Sequence, residues 1–595
     1  MNKYLILQSV LNKICNEGAK YDTIYIEKPG DTSCKPKSLA LIHLFLNVKF
    51  GLNNFHDRKK YITDGPDDGG IDAYYIDKGQ RIIYFIQSKW GDTEKNFKEK
   101  TISSDDVAKM EIKRVLKGDD KYFDEIGCEK NFSTAIIKLE KEISSIEDFK
   151  DYEKKVIIIA NKGLKEKTLK KLLGVKPEFY NYKAIYKFLF KYLSGVLYDP
   201  DKILFSLNVE KEKNYLCEKN IETSIGKCKV ILCFVSASSI AKELYKYRNA
   251  ILKYNPRCYL GLSGKVLSEE KDDQSLSVNN EIRRSILMDY NDFAILNNGI
   301  TILATKVIPD EDNGKKNIVD LHLLSPQIIN GGQTAYTLSK LYKENKDKFK
   351  NKEVLLRIIE VIDADEKFMN NISKAANKQN IVNDEDRRAN DQIQKTIQDK
   401  IYSDFGYLYE RKRGEFFEVL NEKVITKNLI INKKDVAKSR FAFMGYPAEA
   451  RSEGYKKIFS ERYLIIFTSS INIKEVLFSY FVLKNIERRI RQSKNYEIKK
   501  YGNALRYGKF AIIYALKKIF YKYKNFVDVD ELIDPLDKEV DIVLCKWKEF
   551  ENYALHKKKN IKYFDVSSDF DNYYKGNTLK DDLDYFFKIK NHEGK

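Results

Sequence analysis

At 595 residues the chain is too long for a single hydrophobic core, so two or three domains are expected, and a hydrophobic content of 43% is ordinary for a globular protein. Lys and Arg number 107 against 87 Asp and Glu, a formal charge of +20, yet 40 Tyr and only 10 Pro point to a general compositional bias, so the net charge alone does not argue for a polyanionic partner. The 8 Cys form no Cys-x-x-Cys pair and only 5 His accompany them, which argues against a zinc site or a disulfide framework; the apolar start is broken at Asn12 and Lys13, and no run of apolar residues is long enough to span a bilayer. A cytoplasmic protein that does not enter a membrane is the expectation.

In chain order, Pro36–Val48 reads as an apolar helix without an acidic residue. Asp68-Gly69-Gly70-Ile71-Asp72-Ala73 then opens a hairpin: Ile71–Tyr75 and Arg81–Ile86 are apolar, β-branched or aromatic runs around a turn at Asp77-Lys78-Gly79-Gln80. The second strand continues as Ile86-Gln87-Ser88-Lys89-Trp90. Side chains alternate along a strand, so Gln87 and Lys89 share a face, and the hairpin returns Asp72 toward Gln87. A carboxylate, an amide oxygen and an ammonium on one face suit phosphodiester cleavage, in which hard oxygens hold Mg²⁺ or Mn²⁺ and a cation offsets charge on the phosphorus centre. Asp72 and Gln87 are the expected metal ligands, Asp68 an auxiliary one, and Lys89 the catalytic cation, with no acid identified to complete the set. The polar stretch from Gln87 to Asp124 reads as a helix or a mobile segment near the active face, with lysines that suit a phosphate backbone. Lys155–Asn161 reads as a buried strand followed by a helix from Leu164, and a boundary is placed near Asp199 and Pro200.

Periodicity weakens over Leu207–Cys217, and Lys229–Val235 begins a new strand. Three polar blocks follow: Asn297-Asn298-Gly299 before Ile300, then Asn330-Gly331-Gly332-Gln333-Thr334 between a strand and an apolar helix, then Asn377, Gln379 and Asn380 at a helix end. The second block is explicit in chemistry, because glycines and helix-start N–H groups make a natural phosphate site. Asn330, Gly331, Gly332, Gln333, Thr334, Asn377, Gln379 and Asn380 are therefore candidate nucleotide or phosphate contacts, a simple helix cap being the alternative for the second block. Arg388, Arg411 and Arg413 lie in basic runs and are candidate nucleic-acid contacts, the alternative being a solvated helix face. From about Arg440 the pattern is mainly helical.

The hairpin resembles that of PD-(D/E)XK nucleases of the Mrr type, with Gly-Ile-Asp followed by a strand bearing Gln-x-Lys. The later blocks, Asn-Asn-Gly-Ile-Thr-Ile, then Gln-Ile-Ile-Asn-Gly-x-Gln-Thr, then Ala-x-Asn-x-Gln-Asn, resemble the AIPR family, named for abortive-infection phage resistance, over about Val230 to Phe416. Asn255, Arg257, Leu260, Gly261, Asn280, Arg357, Asp386 and Asn390 also fit that pattern. Together the resemblances imply an α/β restriction-endonuclease-like domain over 1–200, a mixed α+β AIPR core over 201–435 and a mostly helical region over 436–595. The implied function is antiphage defence by a metal-dependent endonuclease, with DNA preferred over RNA as substrate, the AIPR region for sensing or regulation, a nucleotide as a further ligand, and a homodimer where both strands are cut. The alternative is a nucleic-acid-binding or nucleotide-sensing protein whose nuclease domain is vestigial.

Overall fold

A computed structural model of the chain describes residues 3–27, 35–119, 121–123, 128–210, 214, 217–223, 226–258, 274–311, 317–361, 366–378, 383–564 and 570–589. The N-terminal part is built on strands β1 (Ala73–Asp77) and β2 (Ile82–Ser88), with a peripheral hairpin of β3 (Lys121–Phe123) and β4 (Glu129–Asn131), then β5 (Glu153–Ile159) and β6 (Glu178–Phe179). β1 and β2 are antiparallel, with Ala73 opposite Ile86, whereas β2, β5 and β6 run parallel, giving the order β1-β2-β5-β6. β2 is buried along its whole length because both faces are covered. Ile82, Tyr84 and Ile86 meet the helices Lys3–Gly18, Lys35–Phe50 and Tyr182–Ser194, while Ile83 and Phe85 meet Ser104–Ala108, Thr134–Ser144 and Glu166–Leu173. The hairpin turn closes through Asp77, whose carboxylate accepts from the N–H of Gln80.

The central part adds β7 (Leu204–Glu210), β8 (Cys217–Thr223), β9 (Gly226–Ser236), β10 (Ile300–Ala304), β11 (Lys306–Asp310), β12 (Ile318–Leu324), β13 (Gln327–Asn330) and β14 (Glu353–Val361). They form a five-stranded sheet in the order β13-β10-β14-β9-β8 and a three-stranded sheet in the order β11-β12-β7. β7 occupies part of the stretch in which the apolar periodicity weakens. Phe205, Leu207 and Val209 alternate strictly with exposed residues, and burying each of these apolar side chains stabilises by roughly 1.5–3 kcal/mol. The inner faces of both sheets share a core with the helices Ala237–Tyr247 and Gly332–Glu344.

The remainder is mainly helical around one large core that reaches back to Ile397 and Tyr409, the latter on β15 (Leu408–Glu410), which pairs in parallel with β16 (Ile430–Asn432). Leu408, Phe416, Val419 and Leu429 face the other way and pack into the N-terminal helical layer. Among the described residues no helix is long and apolar enough to cross a membrane.

Candidate metal centre and central cleft

The chain enters the first site through Thr63 and Asp64, whose N–H groups both donate to the carbonyl of Asp72, at 2.9 and 3.0 Å. Between them runs Gly65-Pro66-Asp67-Asp68-Gly69-Gly70, a sequence rich in turn formers. The Asp68 carboxylate pins this loop by accepting from the N–H groups of Gly65 and Gly70. Gly70 must be glycine: its φ is +66°, and a Cβ would lie 2.7 Å from the carbonyl oxygen of Lys109. The N–H of Asp72 donates to Ile86 O, and its carboxylate accepts from the N–H of Ser88 at 2.6 Å, which fixes it beside the end of β2.

The loop thus brings together Asp64, Asp68 and Asp72, one oxygen from each lying within 4.8 Å of the others. Asp68 and Asp72 were legible as candidates; Asp64, which lies outside the hairpin motif, was not. The signal available was the spacing of four between Asp64, Asp68 and Asp72 across a glycine-rich turn. Burial, followed by the Asp64 and Asp68 carboxylates, pushes the Asp72 carboxyl well above its usual value. Burial also raises Asp68 and Asp64, with Lys89 opposing the rise in both.

Gln87 continues the row of Ile83 and Phe85 and is 4% exposed. Its Nε2 donates to the carbonyl of Asp106 at 3.3 Å, whereas its Oε1 is buried without a hydrogen-bond partner. Lys89 projects to the same neighbour, its Nζ lying 2.8 Å from the Asp106 carboxylate, and its N–H donates to Ile159 O. Asp106 was not foreseen; it sits in the polar stretch after β2, where it forms a capping box with Ser103 at the start of Ser104–Ala108. Burial works against its charge, but Lys89 and the N–H of Ser103 hold its carboxyl below the usual value. Three carboxylates drawn this close offer the hard oxygen donors that suit a divalent cation, and crowding three half-buried acids is unfavourable until such a charge offsets it.

The second site is a cleft of about 970 Å³ on the central part. Its floor is the turn Asn297-Asn298-Gly299 and the start of the Gly332–Glu344 helix. The two turns touch: Gly331 has φ +82° and its missing Cβ would meet Gly299 O at 2.6 Å. Asn330 Oδ1 accepts from the N–H of Gly331, and Asn297 binds Thr334 Oγ1 through Nδ2 at 3.1 Å. Gln333 lines the cleft with a buried Oε1 that lacks a partner. Asn255 contributes a wall, its Nδ2 donating to Ile328 O. Asn377 ends up on the helix Glu366–Lys378, while Gln379, Asn380, Leu260 and Gly261 lie outside the described residues.

The candidate arginines are engaged internally. Arg411 Nη1 donates to Ala389 O and to Asn390 Oδ1, which makes it a brace between two segments. Arg388 Nε donates to Phe459 O, and its guanidinium lies 4.3 Å from the ring centroid of Tyr463. Arg413 stands 3.7 Å from Asp386, whose buried carboxylate also accepts from Arg257 Nε at 2.6 Å.

Residues 252–563, just over half of the chain, match the sequence model of a family described as AIPR protein. The match includes the cleft and most of the helical C-terminal part, and it begins well after the acidic cluster. No curated protein and no solved structure matches the chain.

Proposed function

The chain belongs to the AIPR family, and from that premise we propose that it is a metal-dependent nuclease of phage defence, hydrolysing phosphodiester bonds at the acidic cluster and sensing or regulating through the AIPR region. Membership of the family implies abortive-infection phage defence. The observation that carries the nuclease reading is the meeting of Asp64, Asp68 and Asp72 beside the end of β2, which carries Gln87, with Lys89 immediately after the strand, an arrangement that resembles the hairpin of PD-(D/E)XK nucleases.

Mg²⁺ or Mn²⁺ held there would polarise the scissile phosphate and activate water. Asp64, Asp68 and Asp72 would hold the cation, and the unpartnered Gln87 Oε1 would be the candidate neutral oxygen donor. Lys89 is preset by Asp106 and by its own N–H bond to Ile159 O, so its ammonium is positioned to neutralise charge that develops on the phosphate oxygens. DNA is the proposed substrate, with RNA as the competing polymer.

Purified protein is incubated with plasmid DNA, single-stranded DNA and RNA in Mg²⁺, Mn²⁺ or EDTA, beside Asp72→Ala and Lys89→Ala. Metal-dependent cleavage is expected, reduced by about 100-fold or more in either variant, the scale on which a transition-state contact acts. Cleavage by both variants at the wild-type rate would remove the chemistry from this cluster.

A nucleotide-sensing role, with the nuclease-like part as a scaffold, is favoured by one observation: the Asn297–Gly299 and Asn330–Thr334 turns converge on the same cleft. In that case nucleotide binding persists in EDTA and is weakened by Gly332→Val and Gln333→Ala, while no polymer is cut.

A further inference from the structure

The helical C-terminal part carries a concentration of positive charge that neither site uses. Two clefts, of about 340 and 500 Å³, lie on either side of Tyr455, which is 40% exposed. One is lined by Lys438, Lys509, Arg451 and Lys575; the other by Arg387, Lys434 and Lys456. The basic side chains come from five separate helices and a short turn, so their convergence is a product of tertiary folding that a linear charge run does not reveal.

The local acids are already taken. Asp571 accepts from Arg451 and Lys575, each at 2.5 Å; Asp435 pairs with Lys484 at 2.6 Å, Glu385 with Lys434 at 2.9 Å, and Asp384 with Arg387 at 3.0 Å. Glu487 serves Lys484 at 3.0 Å and reaches Lys509 only at 3.6 Å. Among the described residues, neither Lys438 nor Lys456 has a carboxylate in ion-pair range. The Lys438 ammonium instead lies 4.9 Å from the Tyr455 ring centroid and 5.7 Å from that of Phe510, while Lys434 approaches Tyr455 at 5.2 Å. Burial, and then the charge of Lys509, hold the Lys438 amine below its ordinary value. Like charges are therefore gathered around an exposed aromatic ring with too few acids to balance them.

We propose that this surface binds single-stranded nucleic acid, with a base against the ring of Tyr455 and the flanking phosphates in the two basic clefts. Lysines on both sides of an aromatic side chain suit a flexible phosphodiester chain whose base faces are accessible, whereas a duplex keeps those faces stacked away. The choice of nucleic acid as the polyanion rests on the nuclease reading; the surface itself is separate from the acidic cluster.

The test uses full-length protein bearing Asp72→Ala, in EDTA, so that cleavage does not consume the probe. Fluorescence anisotropy follows binding of a labelled single-stranded DNA of about 16 nucleotides, and of the matching duplex, across a salt series. The doubly substituted Lys438→Glu, Lys509→Glu protein is expected to lose about 10-fold or more in affinity at low salt, with a shallower salt slope. Tyr455→Ala is expected to weaken single-strand binding by about 10-fold while Tyr455→Phe preserves it. Lys456→Glu, on an exposed position of the second cleft, gives an independent reading should the double variant fold poorly. Unchanged affinity in Lys456→Glu and Tyr455→Ala, or binding of the duplex in preference to the single strand, would overturn the proposal. The two readings separate cleanly: wild type that binds in EDTA yet never cleaves refutes the nuclease alone, and wild-type affinity in folded charge-reversal variants refutes this surface alone.

Discussion

Asp72 shows how a half-buried charge can be unfavourable for the fold and useful for chemistry. Its carboxyl is raised by burial and by two neighbouring carboxylates, so the folded state takes up its proton more readily than the unfolded chain. A group shifted upward in this way contributes most below its unfolded value, and that contribution is lost as pH rises through the folded value. At neutral pH the metal-free protein is therefore held below its attainable stability. Asp72→Asn is expected to raise the melting temperature of the metal-free protein at neutral pH, by an amount equivalent to about 0.5–2 kcal/mol, and to abolish the further rise on adding Mn²⁺. Calorimetry with and without the ion checks both; a variant less stable than wild type without metal would show that the three carboxylates do not repel one another as described. Asp72 and Lys89 were legible because strand alternation and a short motif fix their placement. Asp64 was not, since its position depends on how a glycine-rich loop folds back, with two N–H groups converging on a single carbonyl.

At the level of elements, the β1–β2 hairpin and the strand-to-helix passage at Asn330–Gly332 follow directly from turn chemistry and apolar runs. β7 was missed because Leu-Phe-Ser-Leu-Asn-Val-Glu carries polar residues on its open face that dilute the apolar signal. For the arginine runs, sequence gives charge but not what surrounds it: Arg411 turns inward to backbone and amide oxygens, whereas Arg413 stays partly exposed beside Asp386. The two adjacent glycines of the cleft differ in their physical cause. Gly331→Ala places a side chain at φ +82° and against Gly299 O, and is expected to destabilise by roughly 1–3 kcal/mol. Gly332 does not share the left-handed conformation, and its nearest neighbour beyond the helix would be Asn255 Nδ2 at 3.4 Å, so Gly332→Ala is expected to change stability by less than about 0.5 kcal/mol. Urea denaturation distinguishes them; equal losses would mean that the conformation at Gly331 is not what requires glycine.

At the scale of the whole molecule, the N-terminal part is not sealed by its own residues. Leu408, Phe416, Val419 and Leu429 complete its helical layer, and Tyr402 donates its hydroxyl to the carbonyl of Tyr186. A fragment of residues 1–200 exposes that layer and is expected to melt lower and to be cut faster by protease than the same part within the full chain; equal protease resistance would contradict a shared core. The most direct measurement is metal-dependent cleavage of DNA by Asp64→Ala beside wild type, because Asp64 enters the account only through the folded loop. The account predicts that wild type cuts in Mg²⁺ or Mn²⁺ and that Asp64→Ala, correctly folded, is slower by about 100-fold or more. Cleavage by Asp64→Ala at the wild-type rate would contradict it.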